Sequence, residues 1–194
     1  LEFRRVLFRS VFYDKNIKAI VSRAPDKLKD LHPANKDLLK STSRKYNLEI
    51  IEYDPQQNEL RQIGTGYLPI IMNKFNLFPI RNYRYGKHSS IPFNKIPYVP
   101  QAWKDFFCTK GRGEDNCWYG CTLSCSHWGK HTVLTGPYKG QEVIVDGPEY
   151  ETIGSCGSNW DVWDKKWVCE ANFYCDTYGV DTISFGVAVG FVME

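Results

Sequence analysis

The chain has 194 residues, of which 42% are hydrophobic, 15% aromatic and 24% charged, a globular composition that excludes disorder caused by charge repulsion. The formal net charge of +3 falls to +1 without the first ten residues, so charge gives no indication of nucleic-acid binding. No stretch reaches the ~18–20 consecutive apolar residues that a membrane-spanning helix needs.

The two ends of the sequence are unusual. Residues 1–10 read LEFRRVLFRS, with no initiator Met, three Arg among apolar residues and no helical or strand period. We interpret these residues as a non-native scar, with a natural edge strand carrying basic residues as the alternative. Residues 183–194 stop within an apolar helical pattern that has no Gly or basic last turn, which predicts a truncated domain.

The first predicted elements are a strand and a helix. Asn16–Ser22 is rich in Ile and Val and is predicted to form a short strand. Pro33–Leu48 is predicted to form a helix, with Pro in its first turn and Leu38, Leu39 and Tyr46 on one face.

A second helical run, a long loop and a hairpin follow. Gln56–Asn76 has apolar residues at helical spacing, whereas residues 77–100 contain four Pro and are predicted to be irregular. The remaining predicted elements are a short helix at Gln101–Phe107, a hairpin at Lys130–Val145, and helices at Pro148–Cys156, Val162–Tyr178 and Thr182–Met193.

Three cysteines lie within nine residues, at Cys117, Cys121 and Cys125. Thiolates are soft ligands that suit zinc or iron–sulfur clusters, and a four-residue spacing places Cys121 and Cys125 on one face of a helical turn. The odd total of seven Cys and their clustering indicate a metal and a reducing compartment, so we expect a cytoplasmic protein. Candidates in this chain for a fourth ligand are Cys108, Cys156, Cys169 and Cys175.

The spacing alone leaves several interpretations of these cysteines open. A zinc knuckle would be completed by His127 or His131, since sites of three Cys and one His are common. Three core cysteines under aromatic residues are a second alternative. A radical-SAM site is a third, but no run of alternating strands and helices follows the cysteines.

Two glutamates follow a helix-breaking Gly-Pro pair. Glu149 and Glu151 are predicted to lie in the first turn of a helix, where carboxylates interact favourably with the positive end of the helix dipole. Capping would explain both glutamates without any chemistry. The functional alternative is a general base beside a metal centre or a carbonyl carbon.

The segment Asp176–Thr182 is predicted to join two helices. Gly179 would end the first helix in a left-handed conformation and Asp181 would cap the second. The same joint offers carboxylates to the N–H groups of a pterin, and backbone N–H groups to oxygens or phosphate. Glu170, a turn or so before Cys175, is predicted to be a solvated helix residue.

Taken together, in this order and spacing, these motifs resemble the aldehyde:ferredoxin oxidoreductase family over roughly residues 15–194. The matching strings are CTLSC, GPYKG, DGPEYETIGSCGSNW and EANFYCDTYGVDTISFGVAVGFVME, with NIKAIVSRAP and a loop ending in Arg81-Asn82 upstream. The resemblance implies an α+β, predominantly α fold class. Residues 11–24 would be the tail of an N-terminal β domain that binds pterin, and residues 25–194 would begin a helical domain.

The resemblance also implies cofactors. The family holds a tungsten (or molybdenum) bis-pterin, a magnesium ion bridging the pterins, and one four-iron four-sulfur (4Fe-4S) cluster. Cys117, Cys121 and Cys125 would be three ligands of the cluster, and the fourth would lie beyond Glu194.

Further site residues are implied by the same resemblance. Glu151 would stand near the metal as the catalytic acid/base, with Glu149 as the second choice. Glu170 falls where some members place a ligand for a metal ion between subunits. The residues implied to contact one pterin are Asp176, Gly179, Val180 and Asp181.

The implied reaction is oxidation of an aldehyde to a carboxylic acid, with electrons passed to ferredoxin or another electron-transfer protein, in an enzyme that forms a homo-oligomer. One departure affects this expectation. The family pattern is C-x2-C-x3-C, whereas this chain has C-x3-C-x3-C, with Trp118 where the first Cys is expected. The tungsten subunit of a benzoyl-CoA-reductase-like enzyme, acting on an acyl-CoA-type substrate, is therefore an alternative, and a non-catalytic zinc or iron–sulfur module is another.

Overall fold

The computed structural model describes residues 11–12, 14–18, 20–21, 33–53, 55–88, 100–108 and 121–194. Helices dominate these ranges: α1 Lys36–Tyr53, α2 Pro55–Ile63, α3 Leu68–Lys74, α4 Pro100–Phe106, α5 Tyr150–Ser155, α6 Lys165–Tyr178 and α7 Thr182–Met193. Short 3-10 turns lie at Gly64–Tyr67, Gly136–Tyr138 and Ser158–Trp160. Strands β1 Trp128–Thr132 and β2 Glu142–Asp146 form an antiparallel pair. The predicted α+β, predominantly α fold class is confirmed.

The predicted helix at residues 33–48 is present, but it begins and ends later. It begins at Lys36 because the side chain of Asn35 accepts a hydrogen bond from the backbone N of Leu38 at 2.9 Å and so caps the first turn. Its expected apolar face is exposed: Leu38 is 62% and Tyr46 53% accessible. Contacts with the described residues therefore bury no side chain of this helix.

The second helical run is broken in the middle. Gly64 adopts a positive φ of 65°, a conformation that suits Gly and ends α2. A 3-10 turn then leads to α3, which carries Pro69 in its first turn. The break places a tight turn, Gly64–Tyr67, in the interior of the fold, with Gly64 and Gly66 buried.

Two stretches of the first hundred residues differ from the expectation or lie outside the described ranges. The strand predicted at Asn16–Ser22 is wrong for residues 16–18, 20 and 21, which form no strand. An isolated strand has no partner for its hydrogen bonds, and no described segment pairs with this one. Residues 77–88 are irregular as predicted, apart from a bridge between Ile80 and Tyr85, and residues 89–99 lie outside the described residues.

The predicted hairpin is confirmed. Trp128 lies opposite Asp146 and Thr132 opposite Glu142, so that alternate residues of β1 face the helices. Helix α4 packs directly on β1 at Gly129, where an added Cβ would lie 2.4 Å from the ring of Phe106. The strand therefore needs Gly at this position.

The hydrophobic core forms where α2, α4, the hairpin, α5 and α6 meet. Its buried members are Ile63, Phe78, Ile80, Trp103, Phe107, Val145, Ile153, Val168 and Cys169. Helix α7 covers α5 through Gly186, whose backbone lies against Ser155. No helix in the described part of the chain combines the length and hydropathy needed to cross a bilayer.

Candidate functional site

Cys121 and Cys125 lie on an irregular segment that leads into β1. The helical turn expected here is wrong, because residues 121–127 form no helix and Ser124 has a left-handed φ of 42°. Both thiols are half-buried and neither is in a disulfide. Cys117 lies outside the described residues.

Three other cysteines have a different environment, whereas Cys108 is half-buried like Cys121 and Cys125. Cys156, Cys169 and Cys175 are buried, and Cys169 belongs to the hydrophobic core. Burial raises the pKa of the Cys156 thiol and raises that of Cys169 to about 12, so both stay protonated at neutral pH. These thiols pack as small apolar groups, whereas Cys121 and Cys125 are accessible to a ligand.

The two histidines considered for a zinc knuckle have other roles. His127 is 2% accessible and stacks on Phe107, with ring centroids 5.0 Å apart. His131 lies on β1, and its Nε2 atom is 2.7 Å from a carboxylate oxygen of Glu170. Within the described ranges, no group of three or more His, Cys, Asp or Glu side chains is arranged to hold a metal ion.

Glu170 is buried, so its prediction as a solvated helix residue is wrong. It is 4% accessible, and both carboxylate oxygens accept hydrogen bonds from the hairpin. Besides His131, the donors are the backbone N of Leu134 at 2.9 Å and the backbone N and hydroxyl of Thr135, each at 2.8 Å. The carboxylate thus fastens α6 to the hairpin of its own chain.

The turn at Gly64–Gly66 connects the cysteine segment to the acidic helix. A Cβ on Gly64 would lie 2.6 Å from the carbonyl oxygen of Cys125, so the two backbones are in direct contact. The next residue, Thr65, donates a hydrogen bond from its hydroxyl to Oε2 of Glu149 and accepts one from the backbone N of Tyr150 at 2.8 Å.

The two glutamates of the acidic segment are not equivalent. Glu149 occupies the N-cap position of α5, but its side chain makes no capping bond and is held by Thr65 instead. The capping interpretation is therefore wrong for Glu149. Glu151 lies in the first turn of α5 as predicted and is exposed, and its carboxylate makes no hydrogen bond or ion pair with the described residues.

The predicted joint between the last two helices is confirmed. Gly179 ends α6 in a left-handed conformation, with φ 70° and ψ 32°, and Val180 N donates to the carbonyl of Cys175 at 2.8 Å. Asp181 caps α7 by accepting hydrogen bonds from the N and Oγ of Ser184, both on its Oδ2 atom. Val180 is 39% accessible at the tip of the joint.

Two contacts tie this joint to its surroundings, the first to the end of β2 and the second to the acidic helix. Asn172 donates to the carbonyl of Asp146 at 3.0 Å and to Oδ2 of Asp176 at 3.1 Å, and so links the end of β2 to the joint. Thr152 of α5 shares a buried hydrogen bond of 3.0 Å with Thr182 of α7. The acidic helix is thus connected on one side to the cysteine segment and on the other to the aspartate joint.

Sequence reasoning did not single out Thr65 and Asn172, and it placed Thr182 in the joint without its partner Thr152. For Thr65 a signal was present, since Gly64 and Gly66 interrupt an otherwise helical run. For Asn172 and Thr182 there was none, because a polar residue on a helix face gives no indication of a partner distant in sequence.

The loop ending in Arg81-Asn82 forms a separate surface site. Arg81, Asn82 and Tyr83 all have positive φ, and the turn is anchored by the backbone N of Asn82, which donates to the carbonyl of Asn159 at 2.8 Å. Arg81 forms an ion pair with Asp161 at 2.7 Å. Both charged groups line a surface cavity of about 280 Å³, and no predicted catalytic or ligand residue within the described ranges lines it.

Comparisons with known proteins agree with these motifs. Residues 41–194 match the family model described as aldehyde ferredoxin oxidoreductase, domains 2 and 3. The tungsten-containing aldehyde ferredoxin oxidoreductases of Pyrococcus horikoshii and Pyrococcus abyssi are each 30% identical over 186 residues, which are 95% of this chain and 27% of the relative. The aliphatic sulfonate oxidoreductase, WOR-like subunit, of Pyrococcus furiosus is 25% identical over 194 residues, 96% of this chain and 27% of the relative.

The chain spans about a quarter of the length of these relatives. The family model covers most of the chain, including the cysteine segment, the acidic helix and the aspartate joint. On this match and the identity with relatives along nearly its whole length, the chain belongs to the aldehyde ferredoxin oxidoreductase family.

Proposed function

We propose that this chain is part of a tungsten-pterin, iron–sulfur oxidoreductase that converts aldehydes to carboxylic acids and passes the electrons to a ferredoxin. The observation that carries this proposal is the set of contacts that joins the acidic helix α5 to both the cysteine segment and the aspartate joint. A site that combines a cluster, a proton-transfer group and a pterin needs these three motifs next to one another. Assignment of residues 25–194 to the family's helical domain is supported by the match to domains 2 and 3.

The described residues fit the proposed cluster ligands. Cys121 and Cys125 are half-buried, free of disulfides and on irregular backbone, which is the environment of a thiolate that can reach a metal. With them we propose Cys117 as a third ligand.

The joint fits a pterin contact. Both capping bonds of Asp181 use its Oδ2 atom, and no described residue donates to Oδ1. This oxygen can accept a hydrogen bond from a pterin ring N–H. We propose Asp176, Gly179, Val180 and Asp181 as the pterin contacts.

Oxidation of an aldehyde to a carboxylic acid takes its oxygen from water and releases two electrons and two protons. When bound, the tungsten pterin and the iron–sulfur cluster supply the redox chemistry and conduct the two electrons to ferredoxin. Glu151, as an exposed carboxylate on the first turn of α5, accepts a proton as water adds to the carbonyl carbon. Glu149 is bound to Thr65 and orients that turn.

Metal analysis of the natural full-length protein that carries this chain tests the cofactors. We expect tungsten or molybdenum together with about four iron atoms per chain. Cys121→Ser and Cys125→Ser should each lower the iron content. The matched variant Cys108→Ser, two residues after α4 and half-buried, should retain it, because we propose that the fourth ligand lies beyond Glu194. Zinc without tungsten, molybdenum or iron would contradict the proposal.

Activity assays test the substrate. We expect aldehyde-dependent reduction of a viologen dye, and a loss of about 10²- to 10⁴-fold in kcat for Glu151→Gln with the metals retained. Turnover of benzoyl-CoA or of an alkyl sulfonate in place of aldehydes would reassign the substrate while keeping the family. The reducing cytoplasm is the proposed location, since thiolate-bound clusters persist where thiols stay reduced.

A further inference from the structure

Thr65 lies 84 residues from Glu149 in sequence, yet its single hydroxyl serves both the side chain of Glu149 and the backbone of Tyr150. It donates to the carboxylate and accepts from the N–H group at 2.8 Å. Donation and acceptance are both satisfied in one arrangement, so the hydroxyl has a defined orientation.

The backbone that carries Thr65 is fixed on both sides. Gly64 contacts the carbonyl of Cys125, and an added Cβ on Gly66 would lie 3.2 Å from the ring of Trp103. Trp103 is fully buried. The position of the Thr65 hydroxyl is therefore set by the core and by the cysteine segment, and a shift in either would be transmitted to the acidic helix.

The hydrogen bond from Tyr150 N to Thr65 gives the start of α5 a capping bond that no residue of α5 provides. The first N–H groups of a helix have no partner within the helix, and the N-cap residue Glu149 makes no side-chain capping bond. Thr65 thus acts as an external cap for α5. The turn that it holds carries the exposed Glu151. The carboxylate of Glu149 is half-buried and is bound by Thr65.

We propose that Thr65 is the positioning residue of the site: it fixes the first turn of α5 so that Glu151 presents the reacting carboxylate, and Glu149 is its anchor. The statement about Glu151 rests on the proposed function, whereas the external cap rests on the geometry alone. Amide hydrogen exchange tests the cap, and kinetics test the positioning of Glu151.

Amide hydrogen exchange tests the cap without any turnover. In the full-length protein, with and without its metals, Thr65→Val should speed exchange of the segment containing Tyr150 about five-fold, as expected for one lost hydrogen bond. Thr65→Ser keeps the hydroxyl and should remain within about two-fold of the wild type. Thr132→Val, an exposed strand position, is the matched control and should leave this segment unchanged. Unaltered exchange in Thr65→Val would overturn the cap.

Kinetics test the positioning role. Thr65→Val should lower kcat about 10- to 100-fold with KM within about three-fold and with unchanged iron and tungsten content, because the reacting group is displaced without loss of binding. Thr65→Ser should recover most of kcat, and Glu149→Gln should lose less than Glu151→Gln. Wild-type kcat in Thr65→Val, or a greater loss in Glu149→Gln, would overturn the positioning role. Wild-type protein that lacks aldehyde-dependent reduction would instead overturn the proposed function and leave the exchange result for the cap standing.

Discussion

The Nε2 atom of His131 lies 2.7 Å from Oε2 of Glu170, and each side chain is 5% accessible. An ionised carboxylate only accepts hydrogen bonds, so Nε2 of His131 carries the hydrogen. The remaining acceptor positions of Glu170 are filled by the backbone of Leu134 and by Thr135. The carboxylate of Glu170 thus joins the end of β1 to α6.

Removal of this carboxylate should loosen the hairpin. Glu170→Ala leaves the buried ring of His131 and the less buried donors of Leu134 and Thr135 without their acceptor, which should cost about 3 kcal/mol of unfolding free energy. We expect a lowered midpoint in urea and faster amide exchange at residues 134–135. Glu142→Ala, which removes an exposed ion pair with Lys130 on the same hairpin, should leave both measurements nearly unchanged.

Stability should depend on pH through Glu170. Burial raises the pKa of Glu170, but the hydrogen bonds from His131, Leu134 and Thr135 outweigh it, and the pKa lies below the ordinary value of 4.5. A lowered pKa in the folded state gives stability that is complete above the unfolded pKa and is lost as the pH falls through the folded pKa.

The difference in unfolding free energy between the wild type and Glu170→Gln should therefore be constant at neutral pH and shrink as the pH falls below 4.5. Urea unfolding at a series of pH values between about 3 and 7 measures it. A difference that grows towards acidic pH would contradict the charged state assigned to Glu170.

The packing of α7 on α5 should tolerate no side chain at Gly186. Gly→Ala within a helix ordinarily stabilises by about 1 kcal/mol. Here the added Cβ would lie 2.5 Å from Cβ of Ser155 and 2.6 Å from its carbonyl carbon, so α7 must move away. We expect Gly186→Ala to lower the unfolding free energy by about 1–3 kcal/mol, measured by urea unfolding.

Gly190→Ala is the matched comparison for Gly186→Ala. Its Cβ would meet the side-chain amide nitrogen of Asn159 at 2.6 Å, and a side-chain end shifts more easily than backbone. Its loss of stability should be the smaller of the two. If both variants were as stable as the wild type, α7 would not lie close enough to α5 for a Cβ on Gly186 to meet Ser155.

Gly64→Ala should disturb the cysteine segment. The position has φ 65°, and the new Cβ would lie 2.6 Å from the carbonyl oxygen of Cys125. We expect the full-length protein to lose iron, measured as iron per chain. Gly140→Ala is the matched control, because its φ of 84° imposes a similar backbone strain while open space surrounds the added Cβ. Equal iron content in the two variants would show that the Gly64 turn does not affect binding of the cluster.

Local patterns predicted the helices and the hairpin well, because period and turn residues act over a few positions. The helix ends moved where a neighbour intervened: Asn35 capped α1 and Gly64 divided the second run. Burial was predicted less well. Glu170 was predicted to be solvated, but it is buried among hydrogen-bond partners from the hairpin. Leu38 lies on the predicted apolar face of its helix, but it is exposed.

The sequence by itself determined the type of most of the described elements, the left-handed Gly179, the Asp181 cap and the family to which the motifs belong. Only the tertiary structure decided which side chains act together: Thr65 with Glu149, Asn172 with Asp176, and His131 with Glu170. The physical reason is that period, caps and turns are set by neighbours within a few residues. A hydrogen bond between Thr65 and Glu149, 84 positions apart, depends instead on how the core brings separate helices together.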